Sequence, residues 1–200
     1  MLVLDGILLA AGESHRMGYP KPLLKIGDQF FIERAVETML SAADRLIVVL
    51  GAHADGIRPR VPADRRILLV ENPNYHHGQL SSLKAGLAHV RSNAAAVMVH
   101  LADHPLVKAD TFAILKRQYE RMGKPVAIAR YQGRRGHPVI FGRPLFSELM
   151  SAPEEGGARA VVNADSSRVV YADVDDLGVV LDLDTPGDLA RAGLPQPPLN

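Results

Sequence analysis

Residues 7–25 read Ile-Leu-Leu-Ala-Ala-Gly-Glu-Ser-His-Arg-Met-Gly-Tyr-Pro-Lys-Pro-Leu-Leu-Lys. An apolar run ends in a turn of small residues, and Ser14, Arg16, Gly18 and Lys21 follow within a dozen positions. Small side chains at Ala10, Ala11 and Gly12 let a ligand lie against bare backbone, while Arg16 and Lys21 place positive charge beside it. The combination suits a nucleoside triphosphate. Neither of two familiar glycine motifs accounts for it. A P-loop has four residues between its glycines and a Lys directly after the second, whereas here five residues separate Gly12 from Gly18 and Lys21 comes three later. A dinucleotide fingerprint needs a second Gly two positions after the first, and position 14 is Ser14.

Working outward, short apolar runs alternate with segments of helical period, the rhythm of βαβ units around a mostly parallel sheet. Strands are expected at 3–9, 46–50, 67–70, 97–101 and 126–129, and helices at 30–40, 80–91 and 109–122. This predicts a three-layer α/β/α, Rossmann-like fold. After Tyr131 the rhythm changes: a turn at 133–136, an extended stretch at 137–141, a helix at 144–150, a loop at 153–157, and strands at 168–171 and 179–181. This second half is expected to form a lid or substrate-facing insert on the same core. One domain is expected over residues 1–194, with a frayed Pro-rich tail at 195–200.

Composition narrows the class of partner. The formal net charge is +1, so no broad positive field recommends nucleic acid, and phosphate must be held by local cations, helix termini and a metal. The chain has no cysteine, which removes disulfides and thiolate metal sites and fits a reducing cytoplasm. Asp5 and Gly6 interrupt the N-terminal apolar character, and no run approaches membrane-spanning length.

Ligands of open parallel sheets collect at the carboxyl ends of strands. Asp103 stands directly after Val97-Met-Val-His-Leu-Ala, in Asp-His-Pro, where it either offers a carboxylate oxygen to a hard cation such as Mg²⁺ or caps the next turn. Asp182 and Asp184 lie two apart after the apolar run at 179–181; on a strand they would share a face and both approach one ion. Asp184-Thr-Pro also reads as a helix start. The stretch Asn72 to Ser82 is a loop leading through Gly78 into a helix whose free N–H groups and Ser hydroxyls suit a base or a phosphate, or simply form a capped helix. His76, His77, His100 and His104 lack the spacing of a transition-metal site and are expected at the rim or in the core.

The pattern Leu-Ala-Ala-Gly-x-Ser-x-Arg-Met-Gly-x-x-Lys-x-Leu-Leu resembles the opening of the MobA-like NTP transferases, in the branch that contains molybdenum cofactor cytidylyltransferase. Asp-x-Pro at 103–105 and Asp-Leu-Asp-Thr-Pro at 182–186 are similar to that family's metal-binding elements. The resemblance implies transfer of CMP from CTP, or less readily GMP from GTP, to molybdopterin or its molybdenum-loaded form, with release of pyrophosphate. By the same likeness Ala10, Ala11, Gly12, Gly78 and Ser82 meet the nucleobase, Mg²⁺ sits on Asp103 with Asp184 ranked ahead of Asp182, and Lys21 and Arg16 hold the α-phosphate and the leaving pyrophosphate. Gly-His-Pro-Val at 136–139 and Gly-Ala-Arg at 157–159 resemble acceptor-side elements, which points to His137 and Arg159 as acceptor contacts. Glu154 and Glu155 depart from the family's Gly-Asp at that place. A molybdoenzyme or its chaperone is the candidate recipient of the product. Two other readings share the nucleotide half: a transferase acting on a sugar phosphate or other phosphomonoester, and a nucleotide-binding regulatory module without turnover.

Overall fold

A computed structural model describes residues 2–198. In chain order the elements are β1 (Leu4–Ala10), β2 (Lys25–Ile26), β3 (Gln29–Phe30), α1 (Phe31–Leu40), β4 (Arg45–Leu50), α2 (Ala54–Ile57), β5 (Ile67–Glu71), α3 (Gln79–Leu87), β6 (Ala96–Leu101), α4 (Ala109–Met122), β7 (Val126–Tyr131), β8 (Arg134–Gly142), α5 (Phe146–Ser151), α6 (Gly157–Asn163), β9 (Val169–Asp173) and α7 (Pro186–Arg191). Seven strands form one sheet in the order β5-β4-β1-β6-β8-β7-β9, and β2 and β3 form a separate small hairpin. Within the large sheet only β8 runs antiparallel to its neighbours. The sheet is therefore mostly parallel, with helices on both faces.

Strands covered on both faces read as continuous apolar runs, as β4 does over Leu46 to Leu50 and β1 over Ile7 to Ala10. Along β1 the side chains alternate. Leu4 and Leu8 join α1 and α4 through Ile32, Val36, Met39, Phe112 and Leu115. Ile7 and Leu9 join α3, α5 and α6 through Leu80, Leu83, Leu149 and Val161. Asp5, fully buried in the same strand, is satisfied by the backbone N–H and guanidinium of Arg91. The helix expected at 109–122 ends as its sequence dictates, with Gly123 in the left-handed region at φ 61°.

Three expectations for the second half are corrected. The segments after Tyr131 are not an insert laid on the core but part of its sheet: β8 pairs with β6 from Ala96↔Gly142 to Val99↔Val139, and β9 extends the sheet beyond β7. The expected turn at 133–136 is shorter, because Gln132 and Gly133 supply the positive φ angles and β8 begins at Arg134. The apolar run at 179–181 is no strand; Leu177–Val180 is a 3-10 turn capped by the Asp176 carboxylate, which accepts from the backbone N–H of Gly178. Helix α6 begins where the expected loop at 153–157 ends and fills a stretch for which the sequence carried no expectation. Of the tail, residues 195–198 carry no helix or strand, with Gln196 donating to the Pro186 carbonyl, while Leu199 and Asn200 lie outside the described residues.

Topology places the site. From β1 the chain builds outward through β4 and β5, then returns to the other side of β1 with β6. The crevice at such a reversal, beyond the carboxyl ends of the two strands, is where open α/β sheets take ligands. Leu9 pairs with Leu101 there, so the turn after β1 and Asp103 after β6 are neighbours.

Candidate active site at the β1–β6 crevice

The loop after β1 is shaped by Ser14 at φ 57° and Gly18 at φ 70°, and the Ser14 hydroxyl accepts from the Lys21 backbone N–H at 3.0 Å. Met17 pins the loop inward. It is buried with Leu24, Phe31, Leu183 and Leu189, a small apolar cluster that joins the opening loop to the C-terminal segment. Residues some 160 positions apart in sequence are thereby brought side by side.

The polar groups above this cluster converge on one ammonium. Lys21 Nζ lies 2.6 Å from Asp103 Oδ2 and 2.8 Å from Asp184 Oδ1, and Arg16 donates to Asp184 Oδ2 at 2.8 Å. The Lys21 side chain is 14% exposed and that of Arg16 73%, so the lysine is an inner charge and the arginine an outer one at the solvent rim. Burial alone would lower the Lys21 pKa, but the two carboxylates outweigh it and hold the pKa above its ordinary value. Asp103 Oδ1 is buried without a hydrogen-bond partner. Asp184 is aimed from behind, because its backbone N–H and that of Thr185 both donate to Asp188 in the capping box that starts α7.

Beside this cluster is a cleft of about 320 Å³, lined by Leu9 to Ser14, Lys21, Tyr75, His76, Gly78, Gln79, Ser82 and Leu101 to Asp103. Its floor is close-packed: a Cβ on Gly51 would lie 2.6 Å from the Ala11 carbonyl oxygen and 2.8 Å from Tyr75 Cβ. The far wall depends on Asn72, whose amide donates to Ser81 Oγ at 2.9 Å and Ser82 Oγ at 3.0 Å while its carbonyl accepts from the Asn74 N–H. Ser82 is buried, so its hydroxyl reaches the cleft already oriented.

The structure thus brings together Arg16, Lys21, Asp103 and Asp184, with Ala10, Ala11, Gly12, Gly78 and Ser82 along the adjoining cleft. Three expected residues lie elsewhere. Asp182 does not share a face with Asp184, because no strand forms there; its Oδ1 is 2.8 Å from His104 Nε2. His137 belongs to an inner cluster with His100 and His104, ring centroids 5.5–6.4 Å apart. Burial above all, and next the charge of His104, lowers its pKa to about 4. Arg159 is exposed on α6 and does not line the cleft. The sequence placed the stretch 72–82 near the ligand without singling out Tyr75, His76 and Gln79, which line the cleft, or Asn72, which ties Ser81 and Ser82 in place; the Asn-Pro-Asn turn at 72–74 is the available signal.

Residues 6–169 match the MobA-like NTP transferase domain. The chain belongs to the MobA-like NTP transferase family. As a nucleotidyltransferase of that family it is 26% identical over 193 residues to the molybdenum cofactor cytidylyltransferase of Escherichia coli K12, covering 96% of each chain. It is 32% identical over 154 residues to a probable molybdenum cofactor guanylyltransferase of Bacillus cereus G9842, covering 75% of this chain and 70% of the other. Among solved structures, Rv0371c of Mycobacterium tuberculosis H37Rv superposes with TM-score 0.82 at 30% identity, covering 96% of this chain and 97% of that one. A second structure of Rv0371c, at 29% identity and TM-score 0.72 with 95% and 97% covered, is a complex with manganese.

The residues present fit a divalent ion in this MobA-like site. Two carboxylates converge on a position that a positive charge already fills, and one of their oxygens is buried with nothing to bond. Among the described residues no three His, Cys, Asp or Glu side chains form a metal cage. A pair of carboxylates completed by phosphate oxygens and water is how Mg²⁺ is held in nucleotide sites. Among the described residues no helix is long and apolar enough to cross a membrane.

Proposed function

We propose that this cleft transfers CMP from CTP to the phosphate of molybdopterin or its molybdenum-loaded form, releasing pyrophosphate. The observation that carries the reading is the single Lys21 ammonium held between Asp103 and Asp184, with Arg16 beside it, at the mouth of a nucleotide-sized cleft. The cytidylyl branch is favoured over the guanylyl branch by Ala10-Ala11-Gly12 and by the coverage of the Escherichia coli relative.

In this reading the acceptor phosphate, already anionic, attacks the α-phosphorus in line, and no protein nucleophile takes part. The chain's task is alignment and charge neutralisation. Backbone along Ala10 to Gly12, the loop at Gly78 and the hydroxyl of Ser82 hold the base. Lys21 leaves its carboxylates for the α-phosphate oxygens, and the exposed Arg16 swings onto the departing pyrophosphate. Asp103 and Asp184 would hold Mg²⁺, which would supply neutralisation of phosphate charge. Arg159, away from the cleft, meets only an acceptor long enough to reach α6.

Pyrophosphate release, followed with each of the four NTPs against molybdopterin and against sugar-phosphate acceptors, tests the reading. Release with CTP and molybdopterin is expected. Release only with GTP transfers the site to guanylyl chemistry, release only with a sugar phosphate changes the acceptor, and CTP binding without release under any acceptor makes the chain a binding module.

A further inference from the structure

We infer that His104, acting through Asp182, is a positioning residue that sets the separation of the two carboxylates Asp103 and Asp184. His104 follows Asp103 directly in sequence, and its ring is buried at the seam between the loop after β6 and the stretch 177–184. Nδ1 lies 3.3 Å from the Gly178 carbonyl oxygen and Nε2 lies 2.8 Å from Asp182 Oδ1, so the two ring nitrogens meet acceptors at either end of this stretch. Asp184 is two residues beyond the second anchor.

The seam is tight on every side. A Cβ on Gly178 would lie 2.6 Å from the Leu106 carbonyl group, the Leu183 N–H reaches the Asp103 carbonyl oxygen at 3.4 Å, and His137 and His100 wall the ring. Asp184 is thereby held from two directions, by the Asp188 capping box downstream and by the His104–Asp182 bond upstream. Asp182 itself keeps 62% of its side chain exposed and makes no contact with Lys21 or Arg16 within hydrogen-bond reach. The pair is half-buried, since its His104 end is 4% exposed, so it contributes to stability as well as to position. Here it fixes where a neighbouring carboxylate stands. Groups that orient metal-binding side chains are worth about 10–100-fold in affinity.

The inference rests on the reading of Asp103 and Asp184 as the metal-holding pair, and Mn²⁺ binding in the presence of CTP, read from the free-ion electron paramagnetic resonance signal against a protein-free Mn²⁺–CTP blank, tests it without turnover. For the full chain, Asp182→Ala is expected to weaken Mn²⁺ about tenfold, with a melting temperature roughly 2–6 °C below wild type because the buried His104 ring loses an acceptor. Asp182→Asn, whose amide oxygen still accepts from His104, is expected to restore affinity to within about twofold, since the hydrogen bond is retained. His104→Leu added to Asp182→Ala should weaken binding no further, because the two residues act as one unit. Should His104→Leu fail to fold, the exposed Asp182 variants carry the test alone. Wild-type affinity in Asp182→Ala overturns the inference, and so does equal loss in Asp182→Ala and Asp182→Asn, which would make Asp182 a charge acting on the ion directly. Wild-type protein that binds no Mn²⁺ with CTP overturns the metal reading and this inference together.

Discussion

Replacing Lys21 with Met keeps the apolar stem and removes the ammonium, which separates its two roles. In the ligand-free protein the ammonium is the shared counter-charge of Asp103 and Asp184, at 2.6 and 2.8 Å. Stripping one partner from a fully buried pair costs about 3–5 kcal/mol. The two carboxylate side chains here keep 24% and 23% exposure, so water screens part of their repulsion and about 1–2 kcal/mol is expected. For a chain of this size that is a fall in melting temperature of roughly 3–6 °C. In the transition state the same ammonium stabilises charge gathering on the α-phosphate, and losing one such donor costs about 3–4 kcal/mol, or 10²–10³-fold in kcat. The two effects differ in their response to divalent ions: Mg²⁺ should raise the melting temperature of Lys21→Met more than that of wild type, because in wild type it competes with the ammonium. Pyrophosphate release and thermal melts with and without Mg²⁺ are the assays. Full turnover in Lys21→Met, or equal Mg²⁺ increments in the two proteins, would rule out these roles for the ammonium.

Two further predictions follow from packing and burial. Gly51→Ala drives a methyl group into the Ala11 carbonyl and Tyr75, both walls of the cleft, so it should cost about 1–3 kcal/mol of stability and raise the KM for the nucleotide; unchanged KM and stability would show that the floor yields freely. His137, held at about 4 by burial and then by the charge of His104, binds fewer protons folded than unfolded between that value and the ordinary 6.5. Stability should therefore fall as pH drops through this window, by up to about 3 kcal/mol from this residue, and His100, lowered too, acts in the same direction. The pKa of His104 is raised, so this residue carries its proton in both states over most of the window and adds little slope. Denaturant titrations at several pH values should show a shallower dependence in His137→Gln, and an unchanged one would contradict the assignment.

The strands that build the crevice were legible because each is an apolar run wide enough to be buried on both faces, and 109–122 was legible because its period, its start and Gly123 agree. The run at 179–181 carried the same signal and misled. Three apolar residues cannot distinguish a strand from a tight turn, and the deciding facts, the Asp176 cap and the approach of Gly178 to Leu106, lie outside the run. That error carried into Asp182, whose expected side rested on strand alternation. Asp103, Asp184, Lys21 and Arg16 stood out as charged residues beside turns, but their meeting depends on Met17, Leu24, Phe31, Leu183 and Leu189 packing together, a long-range apolar contact that no local pattern encodes. The histidine cluster was illegible for the same reason, since His137 reaches His100 and His104 only through the pairing of β8 with β6.

The most direct test is a crystal structure of the protein with CTP and Mn²⁺, using the anomalous signal to locate the ion. The account predicts a peak within coordinating distance of both Asp103 and Asp184, the triphosphate between it and the Lys21 and Arg16 side chains, and the base against Ala10 to Gly12. A peak bound elsewhere, or a triphosphate that leaves Lys21 still clasped by its two carboxylates, would contradict it.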